Sequence, residues 1–261
     1  MPDAAAEPAW SDSQLDQPHA EPDKARRVER MFAAIAKSYD LNNRVHSLGR
    51  DQAWRRAAVA MAQLRPDDHV VDVACGTGDL TFAFARELAR LADQPAEVLG
   101  LDFTPAMLDI ARQKSARHQN GRHAPVRFAH GDATDLDLDD DRCDVISIAF
   151  GIRNVDRPEA ALAEFYRVLR PGGRLIVLEF TVPEPRVLRW GYDLYCGRIM
   201  PWTATLIAGD RSGAYRYLPR SVNTFGSRQR MTQLIASSGF TDVQSHSLTL
   251  GIATCYRGVK R

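Results

Sequence analysis

From Asp67 onward the chain alternates short apolar runs with longer segments in which apolar residues recur at helical spacing. Short runs that are largely apolar predict buried strands, which are typical of parallel sheets. Strands that alternate with amphipathic helices predict a sheet joined by crossover connections. The alternation therefore predicts an α/β fold with a doubly wound sheet.

The predicted elements extend from residue 69 almost to the end of the chain. One predicted helix ends at Pro171-Gly172-Gly173, because proline and glycine terminate helices. Strands are predicted at 69–74, 96–102, 126–132, 143–150, 174–180, 241–248 and 251–260, and helices at 80–91, 105–118, 159–170 and around 228–238.

Length and composition limit the classes of protein to which the chain can belong. At 261 residues it can bury a sizeable core as one domain. Its net charge of +1 lacks the basic excess of a nucleic-acid-binding domain. The four cysteines have no C-x-x-C spacing and the histidines form no metal-spaced pair, which argues against a zinc site and a disulfide-rich secreted fold. We expect a cytoplasmic protein that binds neither nucleic acid nor metal.

The first residues differ in composition from the rest of the chain. Residues 1–24 are rich in proline, alanine and acid, with no lysine or arginine before Lys24. They lack the regions of a signal peptide or presequence and predict a disordered acidic tail. No stretch elsewhere approaches the roughly 20 apolar residues of a membrane-spanning helix. The expected folded part is a single domain over 25–261.

The first predicted strand leads into ACGTGDLT, a glycine-containing turn before a helix. Ligands of doubly wound sheets bind beyond the carboxyl ends of the strands, and Gly76 and Gly78 permit a tight turn close to a ligand. A strand-to-helix turn that merely needs glycine explains the pattern equally well. Thr81 occupies the third glycine position of a dinucleotide fingerprint, and Gly78 is not followed by the Lys-Ser/Thr of a P-loop. These two differences favour a nucleoside ligand without phosphates.

Acidic residues close the next two strands and interrupt the first. Asp102 follows the glycines at close to the spacing at which an acid binds ribose hydroxyls. Asp132 and the amide of Ala133 can bind the amino group and a ring nitrogen of adenine. Asp72 lies inside an apolar strand, where a carboxylate must pair with a ligand amine, a water or the glycine-loop amides. This set favours S-adenosylmethionine, because carboxylates suit its sulfonium cation better than they suit a pyrophosphate.

Two of these acids also have an alternative role without a ligand. Asp102 can be an acid at the start of a helix that Thr104 caps. Asp132 can simply open the acidic stretch DATDLDLDDDRCD, which lacks the glycine and glutamate of a calcium-binding loop. The ligand assignment therefore requires that these side chains converge in the folded chain.

Several longer segments resemble one enzyme family. They are YDLNNRVHSLGRDQAWRR (39–56), VVDVACGTGDLT, AFGIRNV, EFYRVLRPGGRLIVLEF, YDLY, YRYLPRSV and the ending GIATCYRGVKR. RVLRPGG is typical of many class I methyltransferases. The FGIRN motif joined to the 39–56 segment resembles the UbiE/MenG family, the S-adenosylmethionine-dependent C-methyltransferases of menaquinone and ubiquinone biosynthesis. The resemblance runs from about Arg30 to the last residue.

The resemblance implies a class I S-adenosylmethionine-dependent methyltransferase fold with a seven-stranded sheet. It implies a substrate cover formed by N-terminal helices within 25–65 and by a lid insertion at 183–225. By position, the cofactor contacts of the family fall on Thr77, Asp102, Asp132 and Ala133. With the residues argued above, the candidate cofactor-binding set is Asp72, Gly76, Thr77, Gly78, Asp102, Asp132 and Ala133.

The reaction implied by the resemblance is C-methylation of demethylmenaquinol to menaquinol, the last step of menaquinone biosynthesis. Its substrate is an isoprenoid quinol. Two alternatives stay open. One is the equivalent ring methylation in ubiquinone biosynthesis, or both reactions together, and the other is a non-catalytic scaffold that binds S-adenosylmethionine.

FGIRN places an arginine and an asparagine directly after the fourth predicted strand. Arg153 stays charged and can bind an anionic oxygen, so we expect it to stabilise the phenolate form of the quinol. Asn154 and Tyr192 are the other catalytic candidates. The alternative role of Arg153 is an ion pair with Glu179 or Asp156 that fixes the loop.

The 183–225 insertion mixes Trp, Tyr, Leu and Ile with arginine. Its simpler interpretation is a helical cover that packs on the domain. The alternative is that its aromatic and basic edge contacts a membrane surface, since an isoprenoid quinol resides in the bilayer. The protein would then lie peripherally at the inner face of the cell membrane. A homodimer is also left open.

Overall fold

The computed structural model describes residues 9–11, 13–118, 123–195, 203 and 213–261, and these residues form one seven-stranded sheet. Its strands are β1 (Val70–Val73), β2 (Val98–Asp102), β3 (Val126–His130), β4 (Cys143–Ala149), β5 (Leu169–Phe180), β6 (Thr241–Leu248) and β7 (Ala253–Val259). The strand order is β3-β2-β1-β4-β5-β7-β6, and β7 runs antiparallel to both of its neighbours. The winding reverses between β1 and β4. The predicted doubly wound, seven-stranded α/β fold is confirmed.

Helices cover both faces of the sheet. They are α1 (Lys24–Ile35), α2 (Tyr39–His46), α3 (Arg50–Ala62), α4 (Asp79–Leu91), α5 (Pro105–His118), α6 (Pro158–Val168), α7 (Arg186–Leu194), α8 (Ala214–Phe225) and α9 (Arg228–Ser237). Successive residues of β4 face opposite cores: Val145 packs with Phe84 of α4, and Ile146 packs in the cluster that contains Phe165 of α6. Fully burying a side chain of this size contributes roughly 1.5–3 kcal/mol, so the apolar strands hold helices on both sides.

The junction between α6 and β5 differs from the prediction. Helical spacing predicts a helix to residue 170, whereas α6 ends at Val168, and Leu169 is fully buried and already pairs with β4. The register between β4 and β5 shifts before Arg174. Residues 171–173 therefore form an irregularity within β5 and do not connect α6 to the start of the strand. Gly172 has a φ of +78°, a conformation that favours glycine.

The N-terminal residues differ from the predicted disordered tail. Trp10 is fully buried, and its ring stacks on that of Tyr217 in α8 with centroids 4.6 Å apart. Leu15 is buried in the same apolar cluster, together with Ile35 of α1. Composition alone predicts that the cost in chain entropy keeps these residues disordered. Burial of a large aromatic ring offsets that cost. Residues 1–8 and 12 lie outside the described residues.

Helices occupy the described parts of both predicted cover segments. The segment 25–65 contains α1 to α3, and the insertion 183–225 contains α7 and α8. Residues 196–202 and 204–212 of the insertion lie outside the described residues. In the part of the chain that the structure describes, no helix combines the length and the apolar character needed to cross a membrane.

Candidate active site

Two glycines hold the loop after β1 in a tight turn. Gly76 and Gly78 have φ values of +57° and +86°, in the left-handed region. The N–H of Gly78 donates to the carbonyl of Cys75 at 2.9 Å and closes the turn. A Cβ atom on Gly78 would lie 2.8 Å from the ring of Phe128, so a side chain there would displace that ring. Packing as well as backbone conformation therefore favours glycine here.

Asp102 closes β2 and joins the glycine loop to the start of α5. Its Oδ2 accepts from the N–H of Gly76 at 2.7 Å, and its Oδ1 accepts from the N–H of Thr104 at 2.8 Å. Burial raises the pKa of Asp102, against the effect of the two backbone hydrogen bonds. An ionised carboxylate has about four lone-pair sites, so two internal bonds leave capacity for ligand hydroxyls. The two predicted roles of Asp102 are therefore compatible.

A cavity of about 260 Å³, here called the small cavity, lies between the strand ends and α1. Ala25 and Phe32 of α1 and Met107 of α5 contribute apolar surface to it. The small cavity brings together part of the predicted site, namely Gly76, Asp102, Asp132, Ala133 and Asn154.

Asp132 forms its own turn at the rim of the small cavity. Its Oδ1 accepts from both the N–H and the hydroxyl of Thr134, each at 2.8 Å. Its Oδ2 has no hydrogen-bond partner within the described part of the chain and can accept from a ligand. Ala133 beside it is buried and lines the same cavity.

Asp72 does not line the small cavity. It is buried within β1, where its Oδ2 accepts from the hydroxyl of Thr81 and its Oδ1 from the hydroxyl of Ser147, each at 2.7 Å. Burial raises the pKa of Asp72 to about 6. The two hydroxyls supply the pairing that a buried carboxylate requires.

Thr77 connects the glycine loop to the cover. Its hydroxyl donates to Asp40 of α2 at 2.6 Å and accepts from the Nζ of Lys114 in α5 at 3.0 Å. Lys114 also forms ion pairs with Asp40 at 2.5 Å and with Asp79 at 2.8 Å. This network holds the loop against the helix that carries Tyr39.

A second cavity, of about 610 Å³ and here called the large cavity, lies under the cover helices. Its walls are mostly apolar and come mainly from α1, α2, α3, α7 and α8. Of the predicted catalytic residues, Arg153 and Tyr192 line it. Phe32, Tyr39 and Phe150 line both cavities, so the two cavities meet at these three rings. Burial raises the pKa of Tyr39 at this junction.

Arg153 is buried and bonded on two sides of its guanidinium group. Its Nη1 donates to Oε1 of Glu179 and to the carbonyl of Phe150, both at 2.7 Å, and its Nε donates to the hydroxyl of Ser221 at 3.3 Å. The ion pair with Glu179, one of the two alternatives from the sequence, is therefore present. Among the described residues Nη2 has no hydrogen-bond partner. Arg153 thus keeps one edge able to bind an oxygen atom in the large cavity.

Asn154 faces the other cavity, although it follows Arg153 directly. Its Nδ2 donates to the carbonyl of Phe150 at 3.2 Å, and its Oδ1 accepts from the hydroxyl of Tyr217 at 3.0 Å. The chain passes between the two cavities in a short 3-10 turn over Ile152–Asn154. The amide of Asn154 is therefore occupied in holding this turn.

One pair at the junction was not identified from the sequence. Arg55 donates from Nη1 to Oδ2 of Asp51 at 2.8 Å, and both side chains are buried in the wall of the large cavity. The Cζ of Arg55 lies 5.9 Å from the ring centroid of Phe150. Opposite charges four residues apart lie on one face of a helix. The spacing of Asp51 and Arg55 within 39–56 could therefore have predicted this pair.

The surroundings of Asp72 lead to a pH prediction. Because its pKa is raised in the folded state, wild-type stability should fall as pH rises from about 4 to about 6, by on the order of 3 kcal/mol from this group. Asp72→Asn removes this titration, so the stability of the variant relative to wild type should rise between pH 4 and pH 7. Urea unfolding at the two pH values measures the change.

Asp139→Asn, at an exposed loop position, is the matched control for this experiment. We expect Asp72→Asn to leave the affinity for S-adenosylmethionine unchanged. An Asp72→Asn protein whose relative stability is the same at both pH values, or whose cofactor affinity collapses, would contradict the internal role of Asp72.

Comparisons with solved structures support the fold. A SAM-dependent methyltransferase of Thermotoga maritima is 22% identical, covers 89% of this chain and 99% of its own, and gives a TM-score of 0.57. The cyclase SpnF is 16% identical, covers 90% of this chain and 96% of its own, and gives a TM-score of 0.62. Similarity at these identities shows a shared fold and nothing further.

Comparisons of sequence reach the level of family. The demethylmenaquinone methyltransferase of Deinococcus radiodurans is 44% identical over 239 residues, which are 92% of this chain and 95% of that protein. The ubiquinone/menaquinone biosynthesis C-methyltransferase UbiE of Azotobacter vinelandii is 40% identical over 92% of each chain. The model of the ubiE/COQ5 methyltransferase family matches residues 21–260. The chain therefore belongs to the ubiE/COQ5 methyltransferase family.

Proposed function

We propose that this protein transfers the methyl group of S-adenosylmethionine to a ring carbon of demethylmenaquinol, which loses its proton, so that menaquinol and S-adenosylhomocysteine form in the last step of menaquinone biosynthesis. The observation that carries the proposal is the meeting of two unlike cavities at Phe32, Tyr39 and Phe150. The small cavity has acidic strand ends, and the large cavity has mostly apolar walls beside a buried arginine. The name of the Deinococcus radiodurans relative supports the menaquinone substrate.

The small cavity fits a nucleoside that carries positive charge. Asp102 would accept from the ribose hydroxyls, and Asp132 with the amide of Ala133 would hold the adenine. Carboxylates outnumber cations in the lining, which favours a sulfonium and an ammonium group over a pyrophosphate. The charged residues of the lining are Glu29, Asp102, Asp132, Asp156 and Arg157.

When bound, S-adenosylmethionine supplies an electrophilic methyl group. The protein then has to make the acceptor ring nucleophilic, and Arg153 is the group proposed for this role. A phenol with a pKa of about 10 is mostly protonated near neutrality, and a neighbouring cation lowers such a pKa by roughly 1–3 units. Because Glu179 compensates part of the charge of Arg153, we expect a shift near the lower end of this range.

Aromatic walls are proposed to orient the ring and to exclude water. The ring centroids of Phe150 and Phe180 lie 4.4 Å apart, and the ring of Trp54 lies 6.0 Å from each of them. Flat apolar walls suit a planar quinol, and methyl transfer needs the reacting atoms within about 3–3.5 Å. Tyr192 of α7 also lines the large cavity and is proposed to help place the ring.

A methyl-transfer assay tests the proposed function. The protein is incubated with S-adenosylmethionine labelled in its methyl group and with two reduced quinones, demethylmenaquinol and the benzoquinol precursor of ubiquinone. We expect label in menaquinol. Label only in the benzoquinol product would instead assign the ubiquinone step. Cofactor binding without transfer to either quinol would favour the non-catalytic scaffold.

Arg153 is tested by a variant that leaves no buried charge behind. Arg153→Gln together with Glu179→Gln removes both members of the ion pair, since removing one member alone would strand a buried charge. We expect kcat to fall by roughly 10- to 100-fold at neutral pH, as follows from a phenol pKa raised by about 1–2 units. The loss should shrink at high pH, where the quinol ionises without help, and the pH profile of kcat measures this.

Glu179→Gln alone is the control for the guanidinium group: it leaves Arg153 without its counter-ion and should lower the stability of the fold, but it keeps the arginine, and the amide oxygen of Gln can still accept from Nη1. It should retain activity at neutral pH, and both variants should bind S-adenosylmethionine as wild type does. Equal kcat values for the double variant and wild type across the pH range would remove Arg153 from the mechanism.

We also propose that the mouth of the large cavity rests on a membrane surface. Leu48, Val187 and Leu250 line the large cavity and yet are 88%, 81% and 70% exposed. Val187, Trp190 and Leu194 share one face of α7, a helix that buries none of its residues. Of the strongly exposed large apolar side chains in the described residues, all but Leu91 belong to α2, the turn after it, α7 or the turn between β6 and β7. We call this set the apolar rim: Leu41, Val45, Leu48, Val187, Trp190, Leu194 and Leu250.

Positive charge accompanies the apolar rim. Arg50 at the start of α3 and Arg186 and Arg189 of α7 are exposed beside it, and they outnumber Asp193, the exposed acid of α7. An apolar edge flanked by arginine suits the boundary between headgroups and acyl chains of an anionic leaflet. An isoprenoid quinol could then enter the large cavity from the bilayer, which supports a peripheral position at the inner face of the cell membrane.

Flotation with liposomes tests the membrane contact. Wild type should float with phosphatidylcholine vesicles that contain phosphatidylglycerol, and less with phosphatidylcholine alone. Leu48→Asp with Trp190→Asp should weaken the association by about tenfold or more for each apolar side chain removed. Leu91→Asp, at an exposed leucine outside the apolar rim, is the matched control. Absence of flotation by wild type on both vesicles, or equal flotation of all variants, would contradict the proposal.

A further inference from the structure

The N-terminal residues form a strap across one cover helix. The N-terminal strap consists of residues 9–11 and 13–23, and most of it precedes residue 21, where the match to the family begins. Trp10 stacks on Tyr217 of α8 with an interplanar angle of 24°. Its indole Nε1 has no hydrogen-bond partner in the described structure, so Trp10 contacts α8 through its ring.

His19 makes the second contact of the N-terminal strap with α8. Its Nε2 lies 2.9 Å from the carbonyl oxygen of Ser221, and its ring lies 5.5 Å from that of Phe225. Because a carbonyl only accepts, Nε2 carries the proton. Burial lowers the pKa of His19 to about 4, so the ring is neutral near pH 7. Tyr217, Ser221 and Phe225 are spaced by four residues, so the strap follows one stripe of α8.

Two residues on this stripe also hold the turn that carries the catalytic candidates. The hydroxyl of Tyr217 donates to Oδ1 of Asn154 at 3.0 Å, and the hydroxyl of Ser221 accepts from Nε of Arg153 at 3.3 Å. Contacts therefore run from the strap to α8 and from α8 to the turn between the two cavities.

The strap supplies much of the packing that keeps α8 in place. Ala9, Trp10 and Leu15 are buried in one cluster with Ala214 and Tyr217 of α8. The cluster is completed from α1 by Val28, Met31 and Ile35. Trp10 has the largest side chain in this cluster, so its removal leaves the largest gap against α8.

We infer that the N-terminal strap positions the active site by clamping α8 onto the Arg153-Asn154 turn, with Trp10 as its principal positioning residue. Trp10 lines neither cavity, and its stacked contact with Tyr217 is the route by which it would act on α8 and the turn. The clamp fixes the guanidinium group of Arg153 relative to the ring that enters the large cavity. The inference rests on the proposed function for its kinetic consequence, but the packing of α8 can be measured without it.

Three full-length variants test the clamp. Trp10→Ala removes the stacked ring, and Trp10→Phe keeps a ring without the indole N–H, which has no partner. Gln17→Ala changes an exposed residue of the same strap and is the matched control. The measurements are kcat with demethylmenaquinol, the Kd of S-adenosylmethionine, and hydrogen–deuterium exchange of the α8 amides.

For Trp10→Ala we expect kcat to fall by about 10- to 100-fold, the effect of a misplacement of about 1 Å at a reaction site. The Kd of S-adenosylmethionine should be unchanged, and the amides of 214–225 should exchange faster. Trp10→Phe should restore most of the kcat, and Gln17→Ala should match wild type. A lost cofactor affinity would indicate general unfolding and would overturn the inference.

Wild-type exchange of α8 in Trp10→Ala would also overturn it, whether or not the protein methylates a quinol. If the wild type transfers no methyl group, the proposed function fails, while the exchange data still decide the clamp. A Trp10→Ala protein with faster α8 exchange but wild-type kcat would refute the catalytic role of the strap.

Discussion

The buried ion pair between Arg153 and Glu179 joins the parts of the molecule that meet between the two cavities. Glu179 belongs to β5, Arg153 to the turn after β4, and Ser221, which bonds to the same guanidinium group, to α8. Burial raises the pKa of Glu179, and the arginine opposes that effect. Removing one partner of such a pair typically costs 3–5 kcal/mol, because the other charge remains buried. The turn is therefore held in one conformation between the sheet and the cover.

Three aspartate side chains have different roles because they lie at different depths in the fold. Asp72, Asp102 and Asp132 belong to, or directly follow, three neighbouring strands. Asp72 is bonded by two internal hydroxyls, Asp102 organises the loop and lines the small cavity, and Asp132 presents an oxygen atom at its rim. Depth decides how many lone pairs the protein itself satisfies and how many stay available to a ligand.

Much of the fold and part of the site were predictable from short-range pattern. Five of the seven strands follow from apolar runs and two from the segments after the last predicted helix. The position of Gly76, Asp102 and Asp132 at one cavity follows from the rule that ligands bind at strand ends. The α6–β5 junction was less predictable, because pairing with β4 prevailed over helical spacing at Leu169. For Arg153 the sequence left two roles open, and the geometry accommodates both on different edges of one side chain.

Local sequence spacing determined three features of this protein, because each depends on residues close together in the chain. They are the order of strands and helices, the glycine turn, and the acids along one edge of the sheet. Three other features came only from the folded chain: the burial of Trp10, the hydroxyl partners of Asp72, and the separation of Arg153 and Asn154 into different cavities. Each of these requires side chains far apart in sequence, such as Trp10 and Tyr217, to meet in space. No local pattern carries that information, because the pairing of β1 with β4 brings Asp72 to Ser147, and the packing of the N-terminal residues on α8 brings Trp10 to Tyr217.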